Sequence, residues 1–290
     1  MSEKINTFLE EIKRMVDTEI ESALVNNEPL IDGLYKSAAY SAGGGKRVRA
    51  VFTNLVGNMF GIKKEAMHKT ACAVELIHAA SLIMDDLPYM DDSQLRRGKP
   101  SNHVVFGQDV ALCASIALLS KAVDLVLMDE KIDLETRNKI SQILTQSYGF
   151  EGLAAGQFVD LKLKRKNIDF NIVEFINAKK TAALFTAAGK AGALIGKAST
   201  EQIKAIEDFS ENIGFAFQIV DDILDVVGET NVVGKDLEHD KMNFVMLVGK
   251  EEAEKQAKEY TEKALRALDI FGDKANELKA LSDFLIKRVS

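Results

Sequence analysis

Apolar residues recur at intervals of three and four along almost the whole chain. In the opening stretch, "EKINTFLEEIKRMVDTEIESAL", Ile5, Phe8, Leu9, Ile12, Val16 and Ile20 share one helical face. The same spacing predicts helices over Arg49–Phe60, Glu65–Leu87, Val104–Met128, Leu134–Tyr148, Val173–Ile195 and Glu201–Val227, with two amphipathic helices near Glu251–Leu268 and Lys274–Val289. There is no run of alternating strands, no long polar linker, no low-complexity stretch and no internal repeat. Two segments, "ALCASIALLSKAVDLVL" and "NIGFAFQIVDDILDVV", are apolar on most sides, which predicts interior positions in a bundle. The pattern therefore predicts a single all-α domain over residues 1–290, a large helical bundle.

Composition narrows the function classes. The chain is 47% hydrophobic and 28% charged, ordinary for a globular protein, and its net charge of −7 argues against nucleic acid as a partner. A local basic pocket for a small anion remains open. Cys72 and Cys113 lie in apolar helical stretches without a CxxC spacing, so both are expected to be buried, reduced thiols of a cytoplasmic protein. The charged start carries no apolar leader, and the longest uncharged run, Ala50–Ile62, is too short and polar to cross a bilayer, so no transmembrane segment is expected.

Two aspartate clusters interrupt this apolar pattern. In "FQIVDDILDVVGE", Asp221 and Asp225 are four apart and share one helical face, with Asp222 beside them. Like charges at that spacing destabilise a helix, and apolar flanks add a desolvation cost, so divalent cations with oxygen ligands are the natural compensation. The first cluster, "MDDLPYMDD", would place Asp85 and Asp91 about 240° apart on an unbroken helix. Pro88 removes a backbone donor and disfavours helix at Leu87, which lets Asp91 and Asp92 fold back toward Asp85 and Asp86. Mg2+ takes few protein carboxylates and completes its shell with water and phosphate oxygens, so two such clusters point to a diphosphate held by several Mg2+ ions. Solvated acidic faces are the plainer alternative.

Such a ligand also needs cations from the protein. "GGGKRVR" supplies Lys46, Arg47 and Arg49, "LRRGK" supplies Arg96 and Arg97, "AKKTAALF" supplies Lys179 and Lys180, and "GKDLEHDK" supplies Lys235 and Lys241. The glycines are also compatible with a simple helix cap. They form no phosphate-binding P-loop, and the four histidines lack zinc-ligand spacing.

With these blocks in order, the chain resembles the trans-isoprenyl diphosphate synthases, in particular the bacterial farnesyl and geranylgeranyl diphosphate synthases. The blocks that carry the resemblance are "GGKRVR", "ELIHAASLIMDDLPYMDDSQLRRGKPSNH", "AAGQFVDL", "KKTAALF" and "FQIVDDILDVVGE". The resemblance implies the isoprenoid synthase fold around a central cavity, a homodimer, and about three Mg2+ ions with the bound diphosphate. It implies that Asp85, Asp91 and Asp221 hold the metal, with Asp86, Asp222 and Asp225 supporting them. Arg96, Lys180, Thr181, Gln218, Lys235 and Lys241 would contact the allylic diphosphate, and Lys46, Arg49, His78 and Arg97 would bind isopentenyl diphosphate. The implied reaction is ionisation of the allylic substrate, attack by isopentenyl diphosphate and proton loss, giving farnesyl or geranylgeranyl diphosphate.

Product length would follow from Ala80, Ser81 and Ile77 before the first aspartates. Similar farnesyl synthases often carry an aromatic residue where Ala80 stands, so an open floor and a C20 product are expected. The chain departs from the family pattern at Met84, at Ser115–Ile116, in the single glycine of "AAGQ", and in the shortened "GKDLEHDKMNFVML". A non-catalytic prenyl-diphosphate-binding subunit and a class I terpene cyclase are the alternative readings.

Overall fold

A computed structural model describes residues 3–162, 170–230 and 244–286. The helices are α1 (Glu3–Ala23), α2 (Asp32–Ala42), α3 (Val48–Met59), α4 (His68–Asp85), α5 (Asn102–Phe106), α6 (Gln108–Leu127), α7 (Leu134–Tyr148), α8 (Leu153–Lys162), α9 (Phe170–Asn177), α10 (Ala183–Ile195), α11 (Thr200–Thr230), α12 (Phe244–Val248), α13 (Lys250–Ala267) and α14 (Asn276–Ile286). A π-helical turn, Ala178–Ala182, stands between α9 and α10. Among the described residues the strands are β1 (Leu95–Arg96) and β2 (Lys99–Pro100), one antiparallel hairpin. The fold class is all-α, as the periodicity predicts.

The helix ends have local causes. α4 stops at Asp85, two residues short of the predicted end, because Pro88 denies the next turn its donor. The stretch predicted as Val104–Met128 is broken at Gly107, whose φ of 93° no helix accepts. The stretch predicted as Val173–Ile195 contains the π turn. Helices α2 and α8 are rich in small and polar residues and carry too weak a stripe to be predicted from spacing.

The chain divides into two compact units, Ser2–Thr145 with Lys190–Lys197, and Gln146–Gly189 with Ala198–Ser290. In the first unit α4 packs against α1, α2, α3 and α6. Its buried alanines, Ala71, Ala73, Ala79 and Ala80, let those neighbours approach closely. In the second unit α11 lies along α13, and Val173, Ile219, Val220, Ile223, Phe244, Val245, Ala253 and Ala257 form a core cluster there.

Helix α6 departs from the interior position expected of it. One edge, with Ala111, Ala114, Ser115, Leu118 and Ala122, is buried, whereas Leu112, Cys113, Ile116 and Leu127 are exposed. Cys113 is therefore a surface thiol, unlike the buried Cys72. By length and composition α6 is also the one helix among the described residues able to cross a membrane, with a mean hydropathy of 2.0 over its most apolar window. The uncharged-run criterion missed it because Lys121 and Asp124 interrupt the sequence near its end.

Candidate active site

The C-terminus of α4 is the negative end of a helix dipole, an unfavourable place for carboxylates. The chain nevertheless ends α4 on Asp85 and Asp86. Beyond them the backbone turns back at Pro88, and the Asp91 N–H donates to the Asp85 carbonyl at 2.9 Å. Asp91 is thereby returned to the end of the helix, a geometry that a continuous helix excludes.

The hairpin supplies the compensating charge. Arg97 and Gly98, with φ of 55° and 74°, form a two-residue turn of the kind that right-twisted strands favour. Beside this turn, Arg96 Nε donates to both carboxylate oxygens of Asp86, at 3.0 and 3.2 Å, and its Nη2 closes the pair. Asp86 is 3% exposed, so its charge is committed to this contact. The hydrogen bond to Asp86 pushes the Arg96 pKa up, and Asp85 and Asp91 add to the attraction, which places Arg96 among all three carboxylates.

Arg97 faces a different set of groups. Its guanidinium lies over Gly45, where a Cβ would come within 2.9 Å of Nη1, and Gly45 itself adopts a φ of 97°. The positive φ favours glycine there, and a Cβ would also displace the Arg97 guanidinium. His78, on α4, has its pKa pushed well below the usual imidazole range, first by burial and then by Arg49, Arg97, Arg96 and Arg47. The Arg97–Gly45 contact brings the "GGGKRVR" and "LRRGK" blocks together, and their arginines, which all disfavour a charged His78, form a cationic cradle. Within it Lys46 is exposed and Arg49 half-buried. Arg47 is 4% exposed and turned inward, onto Asp17 and Glu75.

The second unit carries the remaining candidates. Lys180 and Thr181 sit on the π turn, a widened geometry frequent at functional sites. A Cβ on Gly156 of α8 would lie 2.7 Å from the Lys180 backbone nitrogen, and one on Gly214 of α11 would lie 3.0 Å from Ala182 Cα. Glycine at both positions lets the turn pack closely against each helix. Lys180 Nζ pairs with Asp160 at 2.8 Å. Thr181 Oγ1 donates to Gln218 Oε1, and Gln218 Nε2 donates to Asp222 Oδ1, both at 2.8 Å. The second Asp222 oxygen accepts the Phe244 N–H at 2.8 Å, so this carboxylate ties α11 to the start of α12. Asp221 is half-buried on the same helix. Lys235, Lys241 and the Asp225 side chain lie outside the described residues.

The donor set fits Mg2+ bound together with phosphate. Each ion would need only one or two carboxylates, the remaining positions being oxygens of water and ligand. Asp86 and Asp222 direct their oxygens to Arg96, Gln218 and the Phe244 N–H, and Asp85, Asp91 and Asp221 are the carboxylates expected to take metal. Among the described residues no three or more carboxylate, imidazole or thiol side chains form a metal-holding group by themselves. Of the residues expected to set product length, Ile77 and Ala80 are fully buried and Ser81 half-buried. Ser115, one of the departures from the family pattern, donates to the Ala80 carbonyl at 3.0 Å.

Sequence reasoning missed Glu75, Asp17 and Asp160, the acids that hold Arg47 and Lys180. For Glu75 a signal was present: a lone acid inside "CAVELIHAA" must have a buried partner.

The chain is similar to known proteins over most of its length. The family described as Polyprenyl synthetase matches residues 31–281. A geranylgeranyl diphosphate synthase of Cyanophora paradoxa is 35% identical over 97% of this chain and 96% of its own length. A farnesyl diphosphate synthase of Escherichia coli is 37% identical over 90% of each chain. Among solved structures, an FPP/GFPP synthase from Zymomonas mobilis superposes with a TM-score of 0.91 at 29% identity, covering 99% of this chain and 100% of its own.

Two measurements check the site. Asp86→Asn should lower stability by about 2 kcal/mol, because it leaves Arg96 short of its partner. Asp85→Asn, at a half-buried position, should lower the melting temperature less than Asp86→Asn does and should weaken Mg2+-dependent diphosphate binding. Equal melting shifts for the two variants would contradict this division. His78 gives a pH test. An unfolded-chain imidazole titrates near 6.5, whereas the folded one stays neutral well below that. Its contribution is thus complete above pH 6.5 and is lost as pH falls below it. The drop in melting temperature between pH 7 and pH 5 should be smaller in His78→Gln than in the wild type, and an equal drop would show that His78 titrates normally.

Proposed function

Because the chain belongs to the polyprenyl synthetase family, we propose that it is a short-chain trans-prenyltransferase. It joins isopentenyl diphosphate to dimethylallyl, geranyl or farnesyl diphosphate and yields farnesyl or geranylgeranyl diphosphate. One observation carries the reading: the neighbouring residues Arg96 and Arg97 serve opposite partners. Arg96 is paired with Asp86 at the end of α4, and Arg97 lies over Gly45 of the glycine loop. A metal-bound diphosphate and a diphosphate bound by protein cations alone would then lie side by side, as a two-diphosphate condensation requires.

Lys46, Arg49 and Arg97 hold the isopentenyl diphosphate head, and neutral His78 offers it a hydrogen bond. Asp85, Asp91 and Asp221 are the metal ligands, and enzymes of this family use Mg2+ for catalysis. When bound, Mg2+ neutralises charge on the allylic diphosphate and makes it a better leaving group. Arg96, Lys180, Thr181 and Gln218 orient that diphosphate and stabilise the charge it gains as the carbon–oxygen bond breaks. Lys235, Lys241 and Asp225 complete the same set. The isopentenyl double bond attacks the allylic cation, and a proton passes from the adjacent carbon to the released diphosphate. The reaction needs no enzymic nucleophile.

The working form is a homodimer, and the exposed apolar edge of α6, with Leu112, Ile116 and Leu127, is the surface a second copy would cover. The two free thiols accord with a cytoplasmic setting.

The test is to incubate the protein with Mg2+, labelled isopentenyl diphosphate and each allylic starter, and to identify products by mass. Extension to C15 and C20 is expected, and Ala80→Tyr should shift the end point to a shorter chain. Extension that stops at the same length in Ala80→Tyr would remove Ala80 from the product-length determinants. No extension from any starter would overturn the synthase reading.

A further inference from the structure

Arg47 stands between two residues assigned to the cationic cradle, yet it takes no part in the cradle surface. Its backbone is left-handed, with φ of 53° and ψ of 32°, at the N-cap of α3. Its Nε donates to Asp17 Oδ1 at 2.8 Å, its Nη2 donates to the Ala42 carbonyl at 2.7 Å, and its Nη1 lies 3.6 Å from Glu75 Oε2. The other Glu75 oxygen accepts the Ala50 N–H at 3.0 Å. Glu75 is therefore the N-terminal cap of α3 supplied from α4, as well as the counter-ion of Arg47. Helix α3 has no capping side chain of its own at that position.

We propose that Glu75, with Asp17, is a positioning group for the isopentenyl diphosphate site, acting through Arg47. The inference rests on the reading of Lys46, Arg49 and Arg97 as that site. Glu75 lies one turn before His78 on α4, so a single helix carries both the imidazole of the cradle and the acid that anchors its glycine loop. The anchored loop holds Gly45 beneath Arg97 and places Lys46 and Arg49 on either side of the inward-turned Arg47. By neutralising Arg47, the two acids also confine the net positive charge to the side chains that face ligand. Asp17 belongs to α1, which assigns the N-terminal helix a part in binding that the aspartate and arginine motifs do not reveal.

Glu75→Gln keeps an acceptor for the Ala50 N–H and removes the charge facing Arg47. It should raise the KM for isopentenyl diphosphate about tenfold while leaving the KM for the allylic starter within twofold. Titration with inorganic diphosphate in EDTA, where the aspartates hold no metal, should show a similar loss of affinity. If Glu75→Gln fails to fold, the paired Arg47→Met/Glu75→Leu variant, which removes both buried charges, is measured in the same way. A lowered melting temperature with unchanged diphosphate affinity and unchanged KM would overturn the proposal, as would equal rises in both KM values. A wild type that extends no starter, but whose metal-free diphosphate affinity still depends on Glu75, would refute the reaction and keep the positioning role.

Discussion

Negative charge at the end of a buried apolar helix is unstable unless it is answered. In the first unit it is answered by the Arg96–Asp86 pair, on which much of the surrounding order depends. Asp86 is nearly inaccessible to solvent, so without Arg96 its desolvation would go uncompensated. To bring Arg96 there, the chain makes a tight hairpin with left-handed residues at its turn. The same hairpin delivers Arg97 to the glycine loop. A single electrostatic requirement thus fixes where the acids end and where the cations begin.

The division of labour within each charged block follows from burial. Of the three cations in "GGGKRVR", Arg47 is turned inward and satisfied by acids, whereas Lys46 is exposed and Arg49 half-buried. Of the paired aspartates, Asp86 and Asp222 hold the protein together through arginine, amide and backbone partners. Their neighbours Asp85 and Asp221 are half-buried and are the ones proposed to meet a metal-bound diphosphate.

Much of this was legible in the sequence. The helical periods, the aspartate pairs, the break at Pro88 and the basic blocks all follow local rules. What was not legible depends on contacts distant in the chain: Glu75 capping α3, Asp17 reaching Arg47, Asp160 meeting Lys180, and the π turn held against Gly156 and Gly214. Spacing alone misplaces α6, because a helix apolar on most sides in sequence predicts an interior position. Its exposed edge is the kind of surface that a second chain, rather than the protomer's own core, would bury.

In the proposed reaction one ligand is held through metal and carboxylates and the other through protein cations alone. The most direct measurement is a crystal structure with Mg2+, isopentenyl diphosphate and a non-ionising thiolo analogue of geranyl diphosphate. The account predicts metal density at Asp85, Asp91 and Asp221 around the analogue's diphosphate, and a metal-free isopentenyl diphosphate head contacting Lys46, Arg49 and Arg97. An isopentenyl diphosphate bound away from that cradle, or metal ions on carboxylates other than these, would contradict it.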